Sequence, residues 1–216
     1  MIRLGYLDED KGNRNTFFRV FKKDFEVIML EDNSKLATVD MVLEEIENLR
    51  LDVLAVDFRL ADKGWVSYNG DEVIRAIWNK RRYFPVFMLT SYVDSALEKM
   101  DNVFLVNDKD GLSDAAMVAQ LKKQITSAVD TYHRLIEEKN KRLKELVSIQ
   151  KYGQISDEEE RELFRLNVEM SYIDPKSNPI TPDMMQTSSV KELHDMVDMT
   201  RTILRSIKGE YMEAPT

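Results

Sequence analysis

The chain has 216 residues, with 31 Lys and Arg against 39 Asp and Glu, which gives a formal net charge of −8. Hydrophobic residues make up 43% of it and charged residues 32%, enough apolar material for one or two globular domains and too much for a disordered chain. The absence of cysteine excludes disulfides, thiolate zinc sites and a cysteine nucleophile.

The acidic balance argues against bulk binding to nucleic acid or to anionic lipid. Carboxylates at positions 8–10 occupy the place where a signal peptide needs its apolar stretch, and no apolar run approaches the ~20 residues of a membrane span. We therefore expect a cytoplasmic protein that has neither nucleic acid nor a membrane as a partner.

Short apolar runs alternate with helical patterns through the first half of the chain, as in a parallel sheet built from strand-helix-strand units. The apolar runs predict five strands, at residues 2–7, 25–30, 51–56, 86–89 and 103–106. The patterns between them predict four helices, at residues 16–23, 39–49, 72–79 and 92–100. This order favours an α/β fold with a doubly wound, flavodoxin-like sheet of strand order 2-1-3-4-5, whose ligand site lies beyond the carboxyl ends of the strands.

The second half of the chain is predicted to be all α-helical. Apolar residues from Val118 to Leu135 follow alternating spacings of three and four, the pattern of a coiled-coil seam, within one extended helix over residues 114–150. Two capping boxes open further helices, the first from residue 156 to about residue 167 and the second from residue 189 to a stop at residue 209. Prolines between them indicate an irregular connection over residues 174–183.

Groups able to take part in phosphoryl chemistry follow four of the predicted strands. They are Asp8-Glu9-Asp10 after the first, Asp57 after the third, Thr90-Ser91 at the fourth and Lys109 beyond the fifth. The carboxyl ends of parallel strands meet at one edge of the sheet, and clustered carboxylates there repel one another unless a divalent cation such as Mg²⁺ lies among them. A carboxylate beside that ion can attack a phosphoryl donor, while a hydroxyl and an ammonium group neutralise charge on the phosphoryl oxygens.

Three motifs carry a family pattern: Leu7-Asp8-Glu9-Asp10, Val53-Leu54-Ala55-Val56-Asp57-Phe58-Arg59-Leu60 and Phe87-Met88-Leu89-Thr90-Ser91. With these motifs in this order, residues 1–127 resemble a CheY-like receiver domain of two-component response regulators. The resemblance implies that Asp57 accepts the phosphoryl group and that Thr90 is the switch hydroxyl. It also implies that Mg²⁺ is held by Asp8, Glu9, Asp57 and the backbone carbonyl of Arg59. Phe104 stands about where the family has its rotating aromatic residue.

Two features depart from the family pattern. The loop after the third strand is enlarged, so that the glycine expected within a few residues of Leu60 is delayed to Gly70. The spacing of the family's lysine falls on Asn107, and Lys109 comes two residues later. Lys109 is therefore predicted either to bind phosphate or to be a solvated charge in a loop.

From these observations we expect a receiver domain at residues 1–127 and a helical region for dimerisation or partner binding at residues 128–216. The leading hypothesis is a phosphoacceptor signalling protein, not an enzyme, that is phosphorylated by a sensor histidine kinase or a phosphotransfer protein. Its expected partners are a second copy of the chain and a protein effector. Two alternatives stay open: a pseudo-receiver scaffold that is not phosphorylated, and a haloacid dehalogenase-like phosphatase that uses Asp8 and Asp10 with Thr90 and Lys109.

Overall fold

The computed structural model describes residues 1–31, 35–62, 64, 66–100, 102–153 and 155–175, with the backbone alone at Phe104. The chain divides into two compact units, Met1–Glu137 and Glu138–Thr216. The predicted helix at residues 189–209, the connection after Pro175 and the aromatic side chain expected at Phe104 lie outside what the structure describes.

The first unit contains one five-stranded sheet. Its strands are β1 (Arg3–Leu7), β2 (Glu26–Leu30), β3 (Val53–Val56), β4 (Val86–Thr90) and β5 (Val106–Asp108). Every neighbouring pair is parallel, and the strand order is β2-β1-β3-β4-β5. This confirms the doubly wound, flavodoxin-like arrangement, in which the carboxyl ends of all five strands lie at one edge.

Four helices connect the strands, and a fifth follows β5. They are α1 (Lys11–Phe21), α2 (Val39–Asn48), α3 (Gly70–Lys80), α4 (Val93–Leu97) and α5 (Ala115–Lys151). The first helix starts five residues before the predicted position because the Asp10 carboxylate accepts hydrogen bonds from the backbone N–H groups of Gly12 and Asn13 and so caps it. An amino-terminal cap of this kind fixes where a helix begins more firmly than its apolar spacing does.

The fifth strand does not lie where its apolar run predicted it. Residues Val103–Leu105 form a 3₁₀ turn, and β5 begins only at Val106. The side-chain amide of Asn107 donates to the carbonyl oxygens of Leu105 (3.0 Å) and Met88 (3.4 Å), which holds the turn against β4. The carboxyl end of β5 is therefore Asp108, and Lys109 follows it directly.

One hydrophobic core of the first unit lies between the sheet and helices α1 and α5. It is formed by twelve buried side chains: Leu4, Tyr6, Phe17, Phe21, Phe25, Val53, Ala55, Phe87, Leu89, Leu121, Ile125 and Val129. Part of the apolar stripe on α5 that predicted a coiled-coil seam, Leu121 and Ile125, is thus packed in this core. Spacings of three and four place residues on one helix face, and that face can cover a sheet as well as a second helix.

The second unit contains the end of α5 and a further helix, α6 (Asp157–Ile173). The predicted capping box at Ser156 and Glu159 is present and opens α6, which continues six residues beyond its predicted end. Ion pairs join Arg142 to Glu162 (2.5 Å) and Lys139 to Glu169 (2.8 Å) beside buried apolar residues of this unit: Leu143, Leu146, Leu163, Met170 and Ile173. Within the described part of the chain, no helix combines the length and apolar character that crossing a membrane requires.

Candidate functional site

Three carboxylates meet at the carboxyl edge of the sheet. Asp8 and Glu9 follow β1 and Asp57 follows β3, and each offers an oxygen within 4.8 Å of the other two. Asp8 is fully buried and Asp57 is 3% exposed, so neither charge is well hydrated. An acidic donor set made only of oxygen fits a hard cation such as Mg²⁺, which prefers carboxylates and water. Of the four ligand residues that the resemblance implied, the three carboxylates Asp8, Glu9 and Asp57 are therefore brought together.

Lys109 lies between two of these carboxylates. Its Nζ is 2.7 Å from Asp8 Oδ2 and 2.8 Å from Asp57 Oδ1, and its side chain is only 10% exposed. Burial alone would lower the pKa of Lys109, but the charges of Asp57 and Asp8 and their hydrogen bonds outweigh burial and raise that pKa. The sequence left two possibilities for Lys109, a phosphate ligand or a solvated loop charge. The structure places its ammonium group at the acidic cluster and not in solvent.

The Asp8 carboxylate is surrounded by donors. Its Oδ1 accepts the backbone N–H of Asp10 at 2.7 Å, and its Oδ2 accepts the hydroxyl of Tyr6 at 2.5 Å in addition to the Lys109 contact. Arg14 donates to the backbone carbonyl of Asp8 at 2.7 Å. Burial, reinforced by the negative charge of Asp8, raises the pKa of Tyr6, so the phenol keeps its proton and acts as the donor.

Glu9 differs from Asp8 in its environment because it is only partly buried. Burial raises the pKa of Glu9, and repulsion from Asp8 and Asp57 adds to the rise. A bound cation would reverse this repulsion, since it favours the charged form of all three carboxylates. The part of the rise that comes from Asp8 and Asp57 shows that Glu9 feels the charge of the other two carboxylates.

The Asp57 carboxylate contacts the backbone just after β3 and the ammonium group of Lys109. Its Oδ2 accepts the backbone N–H of Arg59 at 3.2 Å, and its buried Oδ1 has the Lys109 ammonium as its electrostatic partner. The delayed glycine lies against this residue: a Cβ added to Gly70 would lie 2.1 Å from the backbone oxygen of Asp57. The enlarged loop therefore ends at a position, Gly70, where any side chain would collide with the backbone of Asp57.

Thr90 ends β4, the strand beside β3, and is completely buried. Its Oγ1 accepts the backbone N–H of Tyr92 at 3.1 Å. The guanidinium carbon of Arg59 lies 3.6 Å from the centre of the Tyr92 ring, and Arg59 also forms an ion pair with Asp62 at 3.3 Å. This stack connects the loop after Asp57 with the loop after Thr90, at the rim of the site.

Asp10 has a different task from its two acidic neighbours. Its Oδ1 accepts the N–H groups of Gly12 (2.7 Å) and Asn13 (3.1 Å) at the start of α1. A phosphatase of the haloacid dehalogenase type would use this carboxylate as its general acid, whereas here it caps a helix. The Asp10 carboxylate thus contacts the start of α1, whereas the Asp57 carboxylate contacts Lys109 within the acidic cluster.

Two contributors to the site were not foreseen from the sequence. Tyr6 is a polar-tipped side chain among the apolar residues next to the end of β1, and it lies two residues before Asp8 on the same side of the strand. That position was a usable signal. Tyr92 had no such signal, because its contact with Arg59 depends on how two loops approach each other.

Comparison with known proteins gives limited similarity. No family model and no curated protein matches the chain. Among solved structures, it is similar to an adenylate cyclase from Rhodopirellula baltica, with a TM-score of 0.47 and 22% identity over 64% of this chain and 94% of that one. It is also similar to the response regulator RcsB of Salmonella typhimurium, with a TM-score of 0.41 and 13% identity over 80% and 91% of the two chains. Because both TM-scores are below 0.5, the fold assignment depends on the strand order of the sheet.

Proposed function

We propose that the protein is a response regulator-like phosphoacceptor whose receiver-like domain is phosphorylated on Asp57 in a Mg²⁺-dependent reaction. The observation that carries this proposal is the position of Lys109, which contacts both Asp8 and Asp57 within a cluster of three carboxylates. Asp8, Glu9 and Asp57 would hold the cation, with the carbonyl of Arg59 as the further ligand. A bound Mg²⁺ would neutralise charge on the transferring phosphoryl oxygens.

The reaction needs one nucleophile and no proton transfer. An oxygen of the ionised Asp57 carboxylate attacks the phosphorus of the donor and forms a new P–O bond. The bond from phosphorus to the donor breaks, and the donor leaves with the electron pair, as acetate from acetyl phosphate or as neutral imidazole from a phosphohistidine whose other ring nitrogen already carries a proton. Lys109 and the Thr90 hydroxyl are the groups of this chain that would then contact the phosphoryl oxygens.

The output would be a change in protein–protein interaction. Phosphorylation adds charge at one edge of the sheet, beside the loop that contains Thr90 and Tyr92, and such charge biases neighbouring loops between two arrangements. The expected donor is a sensor histidine kinase or a phosphotransfer protein. The helical region would then engage a protein effector or a second copy of the chain.

Intact mass spectrometry tests the proposal directly. The purified protein is incubated with MgCl₂ and acetyl phosphate, and we expect one added phosphoryl group that is absent when EDTA replaces MgCl₂. Asp57→Asn should abolish the label, whereas Asp62→Asn, at an exposed carboxylate of the neighbouring loop, should keep it. An unlabelled wild-type protein would refute phosphorylation and support the pseudo-receiver alternative. Continuous release of phosphate without a stable label would instead favour a phosphatase.

A further inference from the structure

A tyrosine hydroxyl reaches the acidic site from inside the core. Tyr6 belongs to β1 and is completely buried, yet its hydroxyl donates to Asp8 Oδ2 at 2.5 Å. A buried phenol needs a hydrogen-bond partner, and a buried carboxylate needs donors. Tyr6 and Asp8 therefore satisfy each other, two residues apart on the same strand.

The position of this hydroxyl is fixed by packing. The Tyr6 ring is stacked on the ring of Phe17 in α1, with 4.0 Å between the ring centres and 10° between the ring planes. Phe17 in turn packs against Phe21, and all three rings are fully buried. Strand β1 and helix α1 together hold the ring, and with it the hydroxyl, beside Asp8.

Tyr6 and Lys109 share one oxygen atom. Both donate to Asp8 Oδ2, at 2.5 Å and 2.7 Å, while Lys109 also reaches Asp57 Oδ1 at 2.8 Å. When Asp57 becomes an acyl phosphate, its carboxylate charge is replaced by charge on phosphoryl oxygens further from the strand end. Contact of Lys109 with that charge would draw its Nζ away from the strand end and so weaken its contact with Asp8.

We propose that Tyr6 is a positioning residue that lets Lys109 move from Asp8 to the phosphoryl group. With the Tyr6 hydroxyl present, Asp8 Oδ2 keeps one hydrogen-bond donor after Lys109 leaves, so the buried carboxylate is not left without a partner at that oxygen. Without it, Oδ2 would lose both donors that contact it here, so Lys109 would stay on Asp8 and the phosphoryl oxygens would lose their ammonium. This inference rests on the proposed function, because it assigns a part to Tyr6 within that reaction.

The test is the rate of labelling of Tyr6→Phe by acetyl phosphate at saturating MgCl₂. This change removes the hydroxyl and keeps the ring that stacks on Phe17. Hydrogen bonds to charged groups are strong, so we expect the labelling rate of Tyr6→Phe to be lower than that of the wild type by about tenfold or more. Tyr68→Phe is the matched control, since it removes another buried hydroxyl that donates to the carbonyl of Leu36 at 2.6 Å, outside the acidic cluster. Its labelling rate should stay at the wild-type value, with folding of each variant checked by circular dichroism.

A double-mutant cycle separates positioning from a general structural role. If Tyr6 acts through Lys109, Tyr6→Phe should slow labelling much less in a Lys109→Met background than in the wild-type background. Equal slowing in both backgrounds, equal slowing in Tyr68→Phe, or an unchanged rate in Tyr6→Phe would each overturn the inference while leaving phosphorylation of Asp57 intact. A wild-type protein that takes up no label would overturn the proposed function and this inference together.

Discussion

Replacing Lys109 by methionine removes an ammonium group from between two buried carboxylates and keeps a side chain of similar length. The oxygens of Asp8 and Asp57 lie within 4.8 Å of each other. Two unit charges at that separation repel by about 3.5 kcal/mol at an effective dielectric constant of about 20. Removing one partner of a buried ion pair generally costs about 3–5 kcal/mol, because it leaves an uncompensated charge. We therefore expect Lys109→Met to lose about 3–5 kcal/mol in free energy of unfolding.

Urea unfolding followed by circular dichroism in EDTA measures this loss. Lys122→Met is the matched control: Lys122 contacts Asp24 at the same 2.7 Å, but 27% and 48% of the two side chains are exposed. Exposed pairs contribute about 0–1 kcal/mol, so the control should change little. The comparison sets a buried lysine that contacts two carboxylates against an exposed lysine that contacts one carboxylate at the same 2.7 Å.

Magnesium should offset part of the loss. A divalent cation supplies the positive charge that the ammonium supplied, and a ligand that binds only the folded state stabilises it by an amount that grows with the logarithm of its affinity. We expect MgCl₂ to raise the free energy of unfolding of Lys109→Met by more than it raises that of the wild type. A loss below about 1 kcal/mol, equal losses in the two lysine variants, or the same response to MgCl₂ would refute the assigned electrostatics.

Two further predictions concern the framework of the site. Gly70→Ala should lower the free energy of unfolding by about 2 kcal/mol or more, because the added Cβ would lie 2.1 Å from the backbone oxygen of Asp57. Gly111→Ala should lower it by less, because the added Cβ meets only the flexible end of the Met117 side chain. Comparable urea midpoints for the two variants would contradict this. Burial raises the pKa of Tyr68 to about 12. As pH rises, the unfolded state therefore loses the Tyr68 proton before the folded state does, and the free energy of unfolding should fall between about pH 10 and pH 12. That fall should be smaller in Tyr68→Phe, and identical alkaline titrations of the two proteins would count against the burial of the hydroxyl.

Sequence patterns were sufficient for the sheet because local signals and topology agreed. Buried parallel strands are apolar almost throughout, and the helices between them repeat apolar residues at a different period, so the order of elements could be counted. The carboxyl-edge rule then placed Asp8, Asp57 and Thr90 together before any distance was known. Boundaries were less certain where a cap or a turn decided them, as at Lys11 and Val106.

The sequence by itself determined the fold class and the acidic set at the strand ends. The tertiary structure decided the place of Lys109, because a 3₁₀ turn at Val103–Leu105 shifted β5 and brought the ammonium to Asp8 and Asp57. It also decided that the Tyr6 hydroxyl contacts Asp8, that Asp10 caps a helix, and that Leu121 and Ile125 pack in the core. The physical reason is the same in each case. Spacing along the chain determines which residues share a face of a helix or strand, whereas tertiary packing determines what that face contacts.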